Sequence, residues 1–419
     1  MICNGHGEDV IALRILEVLH SLQPRLPLAV LPLVGEGKAF SLAVQQGWLE
    51  LVGPNARLPS GGFSNQSARG FIADLVAGLP LLTWRQWRCL RHHAKGVGSV
   101  LAVGDLLPLL MAWSSGQPFG FVGTPKSDYT WRSGPGKQLS DLYHRWKGSE
   151  WDPWEWAVMR RPQCRLVAMR DRLTARGLRR HGIQALAPGN PMMDGLSENH
   201  SPRALERCRR ILLLCGSRMP EALANAERLL RSLEGFESPV PLTLLMATGS
   251  QPSTQALEPL LQRLGFRSCP PPADSLGAHA YWVNGVQMLL LGRGRFSRWA
   301  HWAEVGLATA GTATEQLVGL GIPALSLPGT GPQFTRGFAA RQSRLLGGAV
   351  RPCQSKETLQ RHLQILLDDP NRRQQLGDIG RRRMGDAGGS QALAHLILER
   401  LITDTGSIPT DRHGRHPGP

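Results

Sequence analysis

The segment "CGSRMPE" (215–221) carries residue types that can bind a phosphate group. It follows the apolar run "ILLL", so Gly216 can bring backbone N–H groups close to an anion and Ser217 can add a hydroxyl. Arg218 can offer two parallel hydrogen bonds to a pyrophosphate, because its planar guanidinium matches phosphate oxygens. The alternative is an ordinary capped helix start with a surface arginine. We predict a phosphate-binding turn at these three residues.

A second candidate is "AGTATEQ" (310–316), where a helix would open with backbone donors and two threonine hydroxyls facing a cleft. A carboxylate or amide in the next positions could accept from a ribose or sugar hydroxyl. The alternative is that these side chains only cap the N-terminus of the helix. The candidate donor-binding residues here are Gly311, Thr312, Ala313, Thr314, Glu315 and Gln316. We expect a pyrophosphate to be held between 216–218 and 311–314.

Candidate general bases occur in the first half of the chain. Asp105 directly follows the apolar run "SVLAVG", and a base that deprotonates a sugar hydroxyl must lie at such a strand end. Helix capping is the alternative role for this aspartate. The opening turn "NGHGED" offers His6, Glu8 and Asp9 as rivals, with two glycines that allow a ligand to approach the backbone.

The elements that must position these residues are short apolar runs alternating with helix-like segments. The strand candidates are 28–34, 99–104, 119–124 and 164–169, then 211–217, 241–247, 287–291, 305–311 and 323–329. Continuously apolar runs of this length fit parallel strands covered by helices on both faces. The restart after 188–202 indicates two such α/β domains. Ligands of open α/β sheets lie beyond the carboxyl ends of the strands, which is where the candidate residues occur.

Composition narrows the class of protein. The 419 residues allow about two or three domains, and 42% hydrophobic with 19% charged residues describes a globular chain. Seven scattered cysteines favour a reducing compartment. No apolar run reaches the roughly 18 residues of a membrane span, so we expect a cytoplasmic protein. The net charge of +16 calls for an anionic partner.

Tryptophans and basic residues coincide between 84 and 156. Eight of the twelve tryptophans are Trp84, Trp87, Trp113, Trp131, Trp146, Trp151, Trp154 and Trp156. Interleaved arginines and lysines favour the headgroup layer of an anionic membrane, with about half of the rings assigned to packing. No nucleic-acid-binding motif accompanies the charge, and the histidines and cysteines do not cluster at metal-ligand spacings. We therefore expect an anionic membrane surface as a partner, with no nucleic acid and no metal.

The loops, in order along residues 1–400, resemble those of lipid-A-disaccharide synthase, and more closely a cyanobacterial-type group related to that enzyme, within the GT-B glycosyltransferases. "LLLCGSRMPE" is similar to the Pro-Gly-Ser-Arg-x-x-Glu loop of that family, and "AGTATEQ" to its Ser-Gly-Thr-Ala-Thr segment. "NGHGEDVIA", "VLAVGDLLPLL", "VGTPKSDYTW" and "ALAPGNPMMD" resemble its other cleft loops. This sequence departs from the family's motifs at three places. Leu-Leu-Pro follows Asp105, Gln316 occupies the position of the family's glutamate, and "GNP" replaces "GHP".

The resemblance implies a GT-B fold, in which two Rossmann-like domains with parallel sheets face a central cleft. It implies an acceptor-side domain at 1–200, a nucleotide-sugar domain at 201–388 and a helix at 389–404 that crosses back to the first domain. The Gly-, Pro- and polar-rich composition of 405–419 separately predicts a disordered tail. It also implies that the donor is held by the 216–218 and 311–314 segments and by Gln333 and Gln342, with Asp105 as the acceptor's base.

The function that this implies is glycosyl transfer from a UDP-sugar, of the UDP-N-acetylhexosamine type, to a lipid-linked acceptor at the cytoplasmic face of the membrane, without a cofactor. Two alternatives stay open. One is a UDP-N-acetylglucosamine 2-epimerase-like enzyme, and the other is a non-catalytic, membrane-associated nucleotide-sugar-binding protein.

Overall fold

A computed structural model describes residues 1–5, 7–55, 75–76, 78–96, 98–133, 139–196, 200–271, 276–329 and 334–402. Two predicted site residues, His6 and Gln333, lie outside the described residues, as does the predicted tail at 405–419.

The first sheet in the described chain has seven strands in the order β3-β2-β1-β4-β5-β6-β7, and every pairing is parallel. Its strands are β1 (Ile2–Cys3), β2 (Leu28–Pro32), β3 (Leu49–Leu51), β4 (Val100–Gly104), β5 (Phe119–Gly123), β6 (Cys164–Met169) and β7 (Ala185–Leu186). Strands β4 and β5 are buried at every position, because helices cover both faces of a parallel sheet.

The second sheet has eight described strands in the order β10-β11-β12-β9-β8-β13-β14-β15. They are β8 (Arg209–Leu214), β9 (Leu242–Thr248), β10 (Arg267–Cys269), β11 (Ala280–Asn284), β12 (Gln287–Arg293), β13 (Val305–Ala308), β14 (Ala324–Ser326) and β15 (Val350–Pro352). This sheet is not wholly parallel as predicted, since β10–β11 and β11–β12 pair antiparallel at one edge. Asn284 faces Gln287 across a two-residue turn that contains Gly285, which has a φ of +58°.

The described α-helices fill the connections between the strands. Those of the first half are α1 (Gly7–Leu22), α2 (Ser41–Gln45), α3 (Leu79–Ala94), α4 (Leu106–Ser114), α5 (Tyr129–Arg132), α6 (Leu139–Lys147), α7 (Pro153–Met159) and α8 (Arg172–Arg180). Those of the second half are α9 (Glu221–Arg231), α10 (Thr254–Arg263), α11 (Phe296–Ala300), α12 (Thr312–Gly319), α13 (Arg336–Leu345), α14 (Lys356–Asp368), α15 (Pro370–Met384) and α16 (Gly389–Ile397). Four apolar clusters result, two for each sheet.

The last helix packs on the first sheet although it follows the second in sequence. Leu393, Ala394 and Ile397 of α16 join the core that α1 forms on one face of the first sheet. The start of α16 is held by Asp194, whose carboxylate accepts from the backbone N–H groups of Gly388 (2.5 Å) and Ser390 (2.7 Å). A short π-helix (Leu398–Ile402) continues the chain across this face.

Candidate functional site

The two predicted phosphate-binding segments follow neighbouring strands. Leu214 at the end of β8 pairs with Ala308 at the end of β13. The Thr309 backbone N–H donates to the Leu214 carbonyl at 2.9 Å, which holds the two loops together at the carboxyl edge of the sheet. The 216–218 turn and the 311–314 helix start therefore lie side by side, as a shared phosphate site requires.

The 216–218 turn has the backbone that its sequence predicts. Gly216 has a φ of +86°, a conformation that favours glycine. Ser217 is exposed and lies next to Gly249 at the end of β9. Burial lowers the pKa of the Arg218 guanidinium, while the Glu221 carboxylate acts in the opposite direction. The arginine is thus half-buried and charged at the strand edge.

The start of α12 presents donors to the cleft. Its N-cap is Gly311, which has no side chain to accept from the first backbone N–H groups. Thr312 is exposed there. The prediction that both threonine hydroxyls face the cleft is wrong for Thr314, whose fully buried hydroxyl donates to the Ala310 carbonyl at 2.6 Å, one turn back.

Gln342 of α13 forms hydrogen bonds with the residues at the start of α12. Its side-chain Nε2 donates to the carbonyls of Gly311 (3.2 Å) and Ala310 (3.4 Å), and the residue is only 3% exposed. Its Oε1 is buried without a hydrogen-bond partner in the described part of the chain. The structure therefore places this predicted donor-binding residue directly behind the 311–314 segment.

Glu315 and Gln316 both contact the first domain. The Arg170 guanidinium donates to Glu315 at 2.8 Å, and both side chains are largely buried. Gln316 Nε2 donates to the Met192 carbonyl at 2.7 Å. These contacts bridge the two halves of the chain at the first turn of α12.

The acid–base candidates meet at the carboxyl edge of the first sheet. Glu8 lies in the first turn of α1, and Thr124, just after β5, donates its hydroxyl to the Glu8 carboxylate at 3.3 Å. Burial, together with the charges of Asp105 and Asp9, raises the pKa of Glu8 to about 7. A carboxylate that titrates near neutral pH has the property of a general base.

Asp105 serves as the N-cap of α4, accepting from the Leu107 backbone N–H at 3.3 Å. Burial raises its pKa, while the Lys126 charge and the Asn4 side chain act in the opposite direction. The Asp105 carboxylate thus caps the helix, which was the predicted alternative to a catalytic role. It also lies close enough to Glu8 to raise the pKa of Glu8.

The first turns of α1 and α12 face each other across the cleft. A Cβ built on Gly7 would lie 3.1 Å from the Thr312 hydroxyl oxygen. Both helix N-termini, each the positive end of a helix dipole, therefore point toward one region, with Glu8 on one side and the 216–218 turn on the other.

Sequence reasoning missed three residues of this region, namely Thr124, Lys126 and Arg170. Arg170 is 7% exposed and also donates to the Thr124 carbonyl at 3.3 Å. Lys126 donates to both Glu155 carboxylate oxygens, at 2.7 and 2.6 Å, and lies 4.9 Å from the Trp151 ring centre. Thr124 and Arg170 directly follow buried strands, and Lys126 lies three residues after β5, so their position after a strand was the available signal.

Among the residues that the structure describes, no three His, Cys, Asp or Glu side chains are grouped to hold a metal ion. The same described residues include no helix that is long and apolar enough to span a bilayer.

Solved structures share this architecture over nearly the whole chain. MurG of Acinetobacter baumannii matches with a TM-score of 0.54 at 18% identity, covering 95% of this chain and 98% of that one. CalG4, the calicheamicin glycosyltransferase, matches with a TM-score of 0.58 at 12% identity, covering 96% and 97%. A UDP-GlcNAc 2-epimerase of Neisseria meningitidis, solved with UDP-GlcNAc bound, matches with a TM-score of 0.53 at 13% identity, covering 95% and 99%.

These neighbours have the GT-B fold, so the predicted fold class is confirmed. No family model and no curated protein sequence matches the chain. At identities below one fifth, the likeness establishes the architecture and not the reaction.

Proposed function

We propose that this protein is a metal-independent glycosyltransferase that moves a sugar from a UDP-sugar to a lipid-linked acceptor, in the manner of lipid-A-disaccharide synthase. The observation that carries the proposal is the convergence of the 216–218 turn, the start of α12 and the start of α1 on one cleft. Of the reported structures with this fold, CalG4 is by name a glycosyltransferase, and the Neisseria meningitidis epimerase is bound to UDP-GlcNAc.

The donor diphosphate would lie against the N-terminus of α12 and the Arg218 guanidinium. Backbone N–H groups at a helix start and an arginine both stabilise the negative charge that develops as UDP departs. This charge stabilisation is what a divalent cation would otherwise supply. Gln342 would keep the Gly311 carbonyl and the following N–H groups correctly oriented.

Glu8 is the base that the geometry supports best. The carboxylate would take the proton from an acceptor hydroxyl as that oxygen attacks the anomeric carbon and the bond to the UDP oxygen breaks. Asp105 would contribute its negative charge, which keeps the pKa of Glu8 near neutral, and would hold the start of α4.

The lipid part of the acceptor would lie in a groove of about 520 Å³ between α3 and α4. The lining residues are Leu79, Pro80, Thr83, Trp84, Trp87, Leu107, Leu110, Met111 and Ser114. Because Asp105 caps α4 and Leu107 of the same helix lines the groove, the groove would start beside the acid–base residues. Arg88 and Arg91 stack near Trp84 and Trp87, which places cations at the rim of an apolar surface, as an anionic membrane requires.

Binding of UDP tests the donor site. Arg218→Ala should weaken UDP binding about tenfold or more, since a hydrogen bond to a charged group contributes about 1.5–3 kcal/mol. The exposed Arg263→Ala in the same domain is the matched control and should bind like wild type. Titration calorimetry measures both, and equal affinity in wild type and Arg218→Ala would remove Arg218 from the site.

The reaction itself is tested by offering nucleotide-sugar donors together with a total lipid extract from the source organism and measuring free UDP. Acceptor-dependent UDP release is the expected result.

A second candidate is a UDP-N-acetylglucosamine 2-epimerase-like activity. It is favoured by two neighbouring carboxylates with raised pKa values, which could pass a proton to and from a sugar carbon. An epimerase would turn over nucleotide sugar with no lipid present, so omission of the extract separates the two activities.

A further inference from the structure

Arg228 lies at the carboxyl edge of the second sheet although it belongs to the second half of α9. Its position seven residues after Glu221 puts its Cα about 10 Å along the helix. Its side chain reaches back toward the helix start, as helical side chains do, and ends beside Gly329, just beyond β14. A Cβ at Gly329 would overlap the guanidinium, so the loop and the arginine are in direct contact.

The guanidinium is tied to the phosphate-binding turn through Asn225. Arg228 Nη2 donates to Asn225 Oδ1, and Asn225 Nδ2 donates to the Cys215 carbonyl at 3.1 Å. Cys215 immediately precedes Gly216, so this chain of hydrogen bonds connects Arg228 to the turn that carries Arg218.

Arg228 has no anionic neighbour in the described chain. Burial lowers the pKa of its guanidinium, and no carboxylate acts against that shift. Two other partly buried arginines are paired with carboxylates, namely Arg209 with Glu304 (3.2 Å) and Arg344 with Asp141 (2.9 Å). A half-buried cation whose hydrogen-bond partner is a neutral amide still lacks a counter-charge, and supplying one would be favourable.

We infer that Arg228 is a second diphosphate-binding arginine of the nucleotide-sugar site, acting beside Arg218. The inference rests on the proposed function. The diphosphate is the charged part of the donor, and its oxygens would supply the anion that the described protein does not. Asn225 is then a positioning residue, because its side chain orients the guanidinium and the Cys215 carbonyl together.

Titrations with UDP and with uridine test this role. Arg228→Met should weaken UDP binding between about 10-fold and 100-fold, while uridine binding changes by less than about threefold because uridine has no phosphate. The matched control is Arg231→Met on the same helix, where the arginine pairs with Glu227 at the surface. That control should bind both compounds like wild type.

Gly329→Ala provides a second variant that keeps every charge. The added methyl must displace the flexible guanidinium, so UDP binding should weaken while thermal unfolding stays close to wild type. Unchanged UDP affinity in Arg228→Met, or an equal loss of UDP and uridine, would overturn the inference alone. Failure of wild type to bind UDP would instead overturn the proposed function, and this inference with it.

Discussion

At the scale of single residues, the proposed chemistry depends on one carboxylate whose pKa lies near neutral. Glu8 is removed from water, and its neighbours Asp105 and Asp9 carry the same charge, so its protonated form is favoured up to a pH of about 7. The Thr124 hydroxyl donates to it and partly offsets this effect. The result is a base that is strong enough to accept a proton and still ionised in half of the molecules near pH 7.

We predict that Glu8→Gln lowers transferase turnover about 10²- to 10⁴-fold, the range that general base catalysis contributes. Because the base form exists above the folded-state pKa, wild-type turnover should rise with pH through about 7. The rate of UDP release measured from pH 5 to 9 checks both points. Glu17→Gln, an exposed glutamate on the same helix, is the control. A Glu8→Gln profile that keeps the wild-type rise would assign the titration to another group.

At the scale of elements, the N-terminal turns of α1 and α12 form the candidate site. Helix α1 follows β1 and helix α12 follows β13, so each N-terminus lies at the carboxyl edge of its own sheet. The absence of a side chain at Gly7 lets these two starts approach, with the Thr312 hydroxyl beside it. Gly311 leaves the first N–H groups of α12 without a side-chain cap. Under the proposed function, the small residues at these two positions would leave room and backbone donors for the ligand.

A graded series at Gly7 tests this contact between elements. Gly7→Ala needs a shift of a few tenths of an ångström and should lower turnover modestly, whereas Gly7→Val should push the helix starts apart and lower it more than tenfold. Neither change introduces a left-handed conformation, so thermal unfolding should remain near that of wild type. Turnover assays and melting curves on both variants give the answer, and a Val variant as active as wild type would contradict the contact.

At the scale of the whole molecule, contacts of charged side chains join the first α/β half of the chain to the second. Besides Arg170 with Glu315, the Arg344 guanidinium lies 2.9 Å from the Asp141 carboxylate, and Arg383 lies 4.1 Å from the Tyr129 ring centre. The exposed tryptophans lie on the first domain, where Trp146 is 83% and Trp84 is 49% exposed, whereas Trp151 is buried.

We predict that replacing Leu81 and Trp84 together by serine weakens binding to anionic phosphatidylglycerol vesicles about tenfold or more. Each exposed apolar side chain contributes about 1 kcal/mol when roughly half of it enters the membrane interface. Vesicle sedimentation measures the effect, and added salt should weaken wild-type binding further. The control replaces Val286 and Ile365, exposed residues of the second domain, by serine. Equal loss in both pairs would argue against a dedicated membrane face.

The sequence by itself determined the architecture and the location of the 216–218 turn. Nine predicted strands are confirmed, because buried parallel strands are short apolar runs and the glycines that follow them mark where each strand ends. The edge hairpin was missed, although Asn284-Gly285 between two apolar runs is a hairpin signal. Gly216 adopts the positive φ that its turn requires, and such a backbone preference is local.

Only the tertiary structure decided which side chains face the cleft and which are paired. The Thr314 hydroxyl faces inward, Glu315 pairs with Arg170, which is 145 residues away in the chain, and the Arg228 side chain contacts the loop beyond β14. The near-neutral pKa of Glu8 likewise depends on burial by distant segments and on Asp105. Periodicity and turn chemistry record interactions between near neighbours in the chain, whereas burial, ion pairing and pKa arise from contacts between segments that only the fold brings together.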